Sequence, residues 1–186
     1  MDARMAWVFF LVGSLMLLVL SWRSLRRPGS HGFSRFLAWE GILALLVLNG
    51  DVWFEGRYSV RQLVSWCLLM ASIAVVLSGL FQLKSRGRPV AGSRDDGSLY
   101  AFEQTTRLVD SGIYAWIRHP MYLSLMLLAW GAAVKDLNGM TLTLAVFVSL
   151  CLYITARQDE KECLVHFGTS YGDYMRRSKR FLPFLW

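Results

Sequence analysis

The sequence is poor in cysteine and lacks the cysteine pairs that bind metals. Its three cysteines lie far apart, at positions 67, 151 and 163, and no Cys-x-x-Cys pair is present. Cys67 and Cys151 also fall inside apolar runs. This pattern argues against a disulfide framework and against a zinc site, and it indicates that the cysteines serve as small hydrophobic side chains.

Acidic residues are also scarce, with 13 against 20 basic ones, which gives a formal net charge of +7. The chain lacks a basic stripe interleaved with exposed aromatic residues, which single-stranded nucleic acid requires. Its basic residues cluster between apolar runs instead, as in membrane proteins that face anionic lipid. We therefore expect membrane lipids, and not nucleic acid, to be the partners of this charge.

Apolar residues, by contrast, are abundant. They make up 55% of the chain, whereas ordinary soluble domains reach about 45–50% with glycine included. Five apolar runs approach the length that crosses a hydrocarbon core of about 30 Å, and helices are expected because each satisfies its own backbone polar groups. The predicted fold is a single all-α, polytopic membrane domain over residues 1–186 with about five transmembrane helices. The predicted spans are residues 6–22, 36–53, 63–83, 121–134 and 140–156.

The basic residues are divided unequally between the two sides that five spans define. Of the 20 lysines and arginines, only Arg4, Arg57, Arg61 and Lys135 fall on the side opposite the first loop, the third loop and the C-terminal tail. The positive-inside rule then places the N-terminus outside, and the third loop and C-terminus in the cytoplasm.

The last two apolar runs predict a helical hairpin whose open end carries charge. The short polar turn at residues 135–139 folds them into an antiparallel pair, so the start of the first lies level with the end of the second. Acids at that end face the negative pole of a helix dipole and anionic lipid, so cations should compensate them. Either a structural ion-pair network or a site for a ligand with an ammonium and a carboxylate fits this cluster. Its expected members are Arg118, His119, Tyr122, Arg157, Asp159 and Glu160.

The same residues carry a resemblance to a known family. The stretch reads Leu108-Val-Asp-Ser-Gly-Ile-Tyr-Ala-Trp-Ile-Arg-His-Pro-Met-Tyr122, and Asp159-Glu160, Phe167-Gly168, Tyr171 and Tyr174 follow it. This pattern resembles the isoprenylcysteine carboxyl methyltransferases, whose superfamily also contains phospholipid methyltransferases. The resemblance covers roughly residues 106–183, and the chain departs from the family pattern at Thr106, at Ser124 and in having Asp-Glu as its acid pair.

The resemblance implies an S-adenosylmethionine-dependent methyltransferase that acts on a lipid-like or prenylated acceptor. Its cytoplasmic cofactor pocket would be formed by the third loop (residues 99–120), the last helix hairpin and the tail (residues 157–183). Leu108, Val109 and Tyr114 would border the adenosine, while Glu160 would receive the ammonium group. The cofactor-binding set that the resemblance implies is Thr106, Arg107, Leu108, Val109, Tyr114, His119, Pro120, Met121, Tyr122 and Glu160. Arg157 and Glu160 are the expected catalytic residues, Arg118 and Arg157 the expected acceptor contacts, and no metal is expected.

Two other functions stay open at this point. A membrane reductase of the sterol type resembles this superfamily in helical layout but uses NADPH, and the absence of Gly-x-Gly-x-x-Gly does not exclude it. A small non-enzymatic membrane adaptor would use the charged cluster for structure alone. The identity of the bound cofactor separates the two enzymes, whereas the adaptor predicts that replacing Glu160 or His119 harms folding and not ligand binding.

Overall fold

The chain folds into helices that follow the predicted apolar runs. The computed structural model describes residues 2–26, 31–56, 58–88, 90 and 105–183. Within these ranges there is no extended strand, and Ile117 and Lys179 form an isolated parallel bridge. Each predicted run forms one of the first five helices, which confirms the all-α prediction. The helices are α1 (Ala3–Leu25), α2 (His31–Leu48), α3 (Val60–Arg86), α4 (Pro120–Lys135), α5 (Gly139–Phe167) and α6 (Thr169–Arg177), with a 3-10 turn at Gly112–Ala115.

Four of these helices, α1, α2, α3 and α5, are long and apolar enough to cross a membrane. The remaining apolar helix, α4, has 16 residues and is therefore about 24 Å long, somewhat short of a hydrocarbon core of about 30 Å. It packs chiefly against α3 and also against α5. The chain is thus a polytopic membrane protein in which α4 is the shortest of five apolar helices.

One predicted helix end is wrong and another is right. The sequence predicts a span to Trp53, but α2 ends at Leu48. Asn49 follows it: its backbone N–H keeps the helical bond to the carbonyl of Leu45 at 3.1 Å, while its side-chain amide donates to the carbonyl of Ala132 on α4 at 3.0 Å. The sequence also predicts that the fifth helix continues beyond its span as far as Gly168, where glycine is a natural stop, and α5 does run to Phe167, with a φ of 59° at Gly168.

Small residues allow the helices of the core to approach closely. A Cβ added at Gly41 of α2 would lie 2.6 Å from Val148 of α5, and one at Gly131 of α4 would lie 2.9 Å from Leu69 of α3. Such close contacts are typical of membrane helices, whose association depends on van der Waals packing more than on exclusion of water. A larger side chain at either glycine would push the helices apart.

A polar seam joins the start of α2 to the end of α5. Glu162 Oε2 lies 2.5 Å from Nδ1 of the buried His31, and Ser34 Oγ donates to Gln158 Oε1 at 2.9 Å. Thr155 Oγ1 donates in turn to Ser34 Oγ at 2.9 Å. The three α5 members are three or four residues apart and therefore share a helix face. The seam fixes the rotation of α5 and leaves its acid pair on the adjoining face, towards the start of α4.

Candidate active site

The C-terminal tail lies beside the segment that leads into α4. Lys179 N–H donates to the carbonyl of Trp116 at 3.0 Å, and Arg118 N–H donates to the carbonyl of Lys179 at 2.7 Å. His119 N–H donates to the carbonyl of Arg180 at 3.2 Å. This pairing brings the Arg180 side chain to the acid pair at the end of α5.

Glu160 is buried and surrounded by positive or polar hydrogen-bonding groups. Its Oε1 accepts from Arg118 Nε at 2.9 Å and from Arg180 Nε at 3.1 Å, while Oε2 accepts from Arg180 Nη2 at 2.7 Å. His119 Nε2 lies 3.3 Å from Oε1. The hydrogen bond to Glu160 raises the pKa of the Arg180 guanidinium above its ordinary value. The Glu160 carboxylate is therefore engaged by groups of the protein itself.

Asp159, its neighbour, faces an open cleft. Its Oδ2 accepts a hydrogen bond from the Tyr122 hydroxyl at 3.2 Å and lies 3.6 Å from His119 Nδ1. Cys163 Sγ lies 3.6 Å from Oδ1. The Asp159 side chain is 19% exposed, against 6% for Glu160. Of the two acids, Asp159 is the one whose carboxylate lines the cleft.

The cleft lies where the third loop, the start of α4, the end of α5 and α6 meet. Its empty volume is about 710 Å³, which includes space open to solvent. One part of the lining is apolar and another carries charged and hydrogen-bonding groups, as in most small-molecule sites. The lining residues are Leu83, Thr105, Leu108, Val109, Tyr114, Arg118, His119, Pro120, Met121, Tyr122, Asp159, Cys163, Phe167, Tyr171 and Tyr174.

Tyrosines of α6 close one side of the cleft. The Tyr174 hydroxyl donates to the carbonyl of Tyr114 at 2.7 Å, which ties α6 to the 3-10 turn. Tyr171 and Tyr174 are both buried, and burial raises the pKa of both hydroxyls above the ordinary tyrosine value. Burial disfavours the phenolate, so both hydroxyls stay protonated and can donate hydrogen bonds near neutral pH.

Most of the predicted cofactor-binding residues do meet at the cleft. Arg118, which was expected to contact the acceptor, lines it as well. Thr106 and Arg107 are exposed and outside the lining, and the Thr106 hydroxyl donates to the carbonyl of Arg88 at 3.0 Å. Residues 99–104 of the predicted cofactor segment lie outside the described residues. The predicted residues that line the cleft are Leu108, Val109, Tyr114, His119, Pro120, Met121 and Tyr122.

Arg157 and Glu160, the expected catalytic pair, do not line the cleft. Arg157 is exposed, and Arg180, which sequence reasoning did not name, joins the expected Arg118 and His119 at Glu160. No spacing in the basic tail distinguishes Arg180 from its neighbours, so only the pairing of the tail with residues 116–119 reveals it. The sequence indicated Asp159 as a member of the acid pair, but nothing in it predicts which of the two acids faces a ligand.

Comparison with known proteins relates this region to methyltransferases. The family model for phospholipid methyltransferases matches residues 60–173. The chain is 33% identical over 82 residues to the protein-S-isoprenylcysteine O-methyltransferase of Mus musculus, a match that covers 44% of this chain and 29% of that protein. The human counterpart is 36% identical over 86 residues, with coverage of 44% and 29%. The Saccharomyces cerevisiae counterpart is 32% identical over 79 residues, with coverage of 42% and 33%. The matches therefore span a third or less of these relatives' lengths.

Proposed function

The chain belongs to the phospholipid methyltransferase family, and from that premise we propose that it methylates a lipid-like or prenylated acceptor with S-adenosylmethionine as the donor. The observation that carries the proposal is the cleft at the open end of the α4–α5 hairpin, where Asp159 faces an apolar wall and a buried ion network lies behind it. The names of the relatives, which refer to isoprenylcysteine, favour an acceptor with a prenyl or similar lipid group.

The chemistry of the cleft fits the groups of S-adenosylmethionine. Its ammonium group needs a carboxylate, and Asp159 supplies one that lines the cleft. Its carboxylate needs a positive partner, and Arg118 lies in the same lining. Its adenine needs an apolar surface, which Leu108, Val109 and Phe167 provide. We therefore assign the ammonium contact to Asp159, in place of the Glu160 expected from the sequence.

A bound S-adenosylmethionine would supply a sulfonium-activated methyl group, so the protein needs no covalent intermediate of its own. The protein's part is alignment and exclusion of water. The rings of His119 and Tyr122 stack with centroids 5.3 Å apart and planes at 18°, which holds the Tyr122 hydroxyl on Asp159. Glu160 fixes Arg118 and His119 from behind through its hydrogen bonds. The lining is thus held in place by the protein's own contacts.

The acceptor determines whether a base is required. A carboxylate or thiolate acceptor needs only a cation to orient it, and Arg118 is the arginine that lines the cleft. An amine acceptor must lose a proton, and His119 is then the candidate base because it lines the cleft. Arg157 is exposed and does not line the cleft. Its contact with the acceptor therefore stays a prediction.

The basic residues support a topology in which the cleft faces the cytoplasm. Lys84, Arg86, Arg107 and Lys179 all lie at the cleft end of the bundle, whereas Arg61 lies at the other end. By the positive-inside rule the cleft end is cytoplasmic and the N-terminus is outside. A C-terminal epitope that proteases reach only in inside-out vesicles would agree with this topology, and one cleaved in right-side-out vesicles would contradict it.

Calorimetric titration of the detergent-purified protein with S-adenosylhomocysteine tests the proposal. This product analogue keeps the ammonium, carboxylate and adenosine groups. We expect the wild type to bind it, and Asp159→Asn to bind about tenfold or more weakly, because a charge-assisted contact is lost. Asp136→Asn is the matched control: Asp136 lies at the opposite end of the bundle, 48% exposed, and pairs with Arg61 at 3.5 Å.

Three results would contradict the proposal or its assignment of Asp159. A wild type that does not bind S-adenosylhomocysteine overturns it, and a wild type that binds NADPH instead moves the protein to the reductase class. Equal weakening in Asp159→Asn and Asp136→Asn would show that a general loss of charge, and not the cleft carboxylate, controls binding. Normal folding of both variants is checked by thermal unfolding in the same detergent.

A further inference from the structure

The end of α3 is fastened to the loop that forms one wall of the cleft. Gln82 Oε1 accepts a hydrogen bond from the backbone N–H of Ile113 at 3.1 Å. One turn later, Arg86 donates to the Ser111 hydroxyl. The carbonyl of Gly87 accepts from the backbone N–H groups at positions 106 and 107, at 3.1 and 3.3 Å. A membrane helix therefore holds the loop at several points, and Gln82 is the one nearest to the 3-10 turn.

Gln82 and Gly112 fit each other closely. Gly112 has a φ of 62°, in the left-handed region that favours glycine. A Cβ at this position would lie 2.3 Å from both Oε1 and Nε2 of Gln82 and 2.4 Å from its Cδ. The side-chain amide therefore packs directly on the Gly112 backbone while it accepts the next N–H. Backbone conformation and close approach independently require glycine here.

This contact bears on the cleft through Tyr114. The turn at Gly112–Ala115 carries Tyr114, which is 7% exposed and lines the cleft. Tyr174 holds the carbonyl of Tyr114 from the α6 side, and Gln82 holds the turn from the α3 side. Gln82 itself is not among the residues that line the cleft, so any effect it has on a ligand passes through the turn.

We propose that Gln82 is a positioning residue for cofactor binding, which holds the 112–115 turn so that Tyr114 forms the wall of the cleft. The inference rests on the proposed function, because the affinity that Gln82 sets is that for S-adenosylmethionine and its analogues. It also makes the end of α3, a membrane helix, part of the support of the cytoplasmic site.

The chain offers a matched control in Gln62. This residue lies on the same helix, about 30 Å away at 1.5 Å per residue, and its amide is also fully used. Its Nε2 donates to the carbonyl of Val52 and its Oε1 accepts from Lys135, both at 2.9 Å. A glutamine that serves only stability would behave like Gln62, whereas a positioning glutamine should affect ligand binding as well.

The test compares Gln82→Met, which cannot accept the hydrogen bond, with Gln82→Glu, which can, and with Gln62→Met. Three quantities are measured: affinity for S-adenosylhomocysteine by calorimetry, hydrogen exchange of the Ile113 amide, and the melting temperature. Gln82→Met should speed exchange at Ile113 and weaken binding about tenfold, as loss of one hydrogen bond predicts. Gln82→Glu should restore both, and Gln62→Met should lower only the melting temperature. Gly112→Ala should reproduce Gln82→Met, because a Cβ displaces the amide.

The outcomes separate this inference from the proposed function. Unchanged Ile113 exchange in Gln82→Met overturns the fastening of the turn. Suppose the wild type binds S-adenosylhomocysteine. If Gln82→Met then binds it equally well, or if Gln62→Met loses as much affinity as Gln82→Met, the cofactor role of Gln82 is overturned and the methyltransferase proposal is left intact. A wild type that does not bind S-adenosylhomocysteine overturns the proposed function, and the cofactor role of Gln82 fails with it.

Discussion

The two ends of the helical bundle both bury a positive side chain, but they compensate it differently. At the end opposite the cleft, Lys135 is 0% exposed. Its Nζ donates to Gln62 Oε1 at 2.9 Å and lies 4.1 and 4.7 Å from the ring centroids of Trp66 and Trp53. These partners are neutral. At the cleft end, Arg118 and Arg180 share the carboxylate of Glu160.

The comparison shows that a buried cation does not by itself mark a ligand site. The cation–π contacts and the amide enclose Lys135 completely, so no charged group is left for a ligand. At the cleft end Glu160 is likewise held by partners within the protein, but Arg118 and the neighbouring Asp159 line open space. The candidate site therefore differs from a structural cluster in one respect: beside its buried ion pairs, it has a charged side chain, that of Asp159, that a ligand can reach.

Glu160→Gln should have the largest effect, because it removes the negative charge shared by Arg118, Arg180 and His119. Breaking a buried ion pair on one side typically costs about 3–5 kcal/mol. We expect a large fall in the free energy of unfolding in detergent, together with loss of S-adenosylhomocysteine binding. If the variant instead unfolds like the wild type and loses only binding, Glu160 is a ligand for the ammonium group, as the sequence resemblance implies, and Asp159 is not.

Lys135→Met tests the opposite end of the bundle. The change removes the cation and leaves the Gln62 carbonyl oxygen without this donor, for which about 1.5–3 kcal/mol is expected. Because the whole bundle separates Lys135 from the cleft, the affinity for S-adenosylhomocysteine should be unchanged. A fall in affinity as large as that of Asp159→Asn would show that the two ends are coupled and would remove the basis of the comparison. Thermal unfolding and calorimetry on the same sample provide both values.

Tyr174→Phe should have a smaller effect that is confined to the cleft end. The change removes one hydrogen bond, from the Tyr174 hydroxyl to the Tyr114 carbonyl, which is worth about 1 kcal/mol. We expect S-adenosylhomocysteine to bind several-fold more weakly, with a slight fall in melting temperature. Tyr58→Phe is the control, since Tyr58 is 92% exposed. Equal behaviour of the two variants would mean that α6 does not hold the turn.

The helices and the meeting of residues 118–122 with the acid pair could be predicted from the sequence, because run length and a short turn are local properties. The contact at the end of α2, from Asn49 to Ala132, could not, since Ala132 lies on a helix that is distant in the sequence. The sequence gives no means to tell Asp159 from Glu160 either. Their roles depend on the rotation of α5, which is set by its seam with α2.

The partner of Glu160 was missed for a related reason. Arg180 is one of several basic residues in the tail, and its position follows from backbone hydrogen bonds between residues 116–119 and 179–180. The resemblance also identified Tyr171 and Tyr174 as features of the family without their contacts. Sequence patterns therefore located the site, whereas the assignment of a direction to each side chain required the packing of α2, α5 and the tail.

Arg177→Ala should have the smallest effect and completes the comparison. Arg177 lies at the cleft end and donates to Asp110 at 2.6 Å, but the two side chains are 63% and 42% exposed. Exposed ion pairs contribute little to stability because water and salt screen them. We expect no measurable change in the melting temperature or in S-adenosylhomocysteine affinity. An effect comparable to that of Glu160→Gln would mean that the number of charges at this end matters more than their burial, because the two pairs differ chiefly in exposure to solvent.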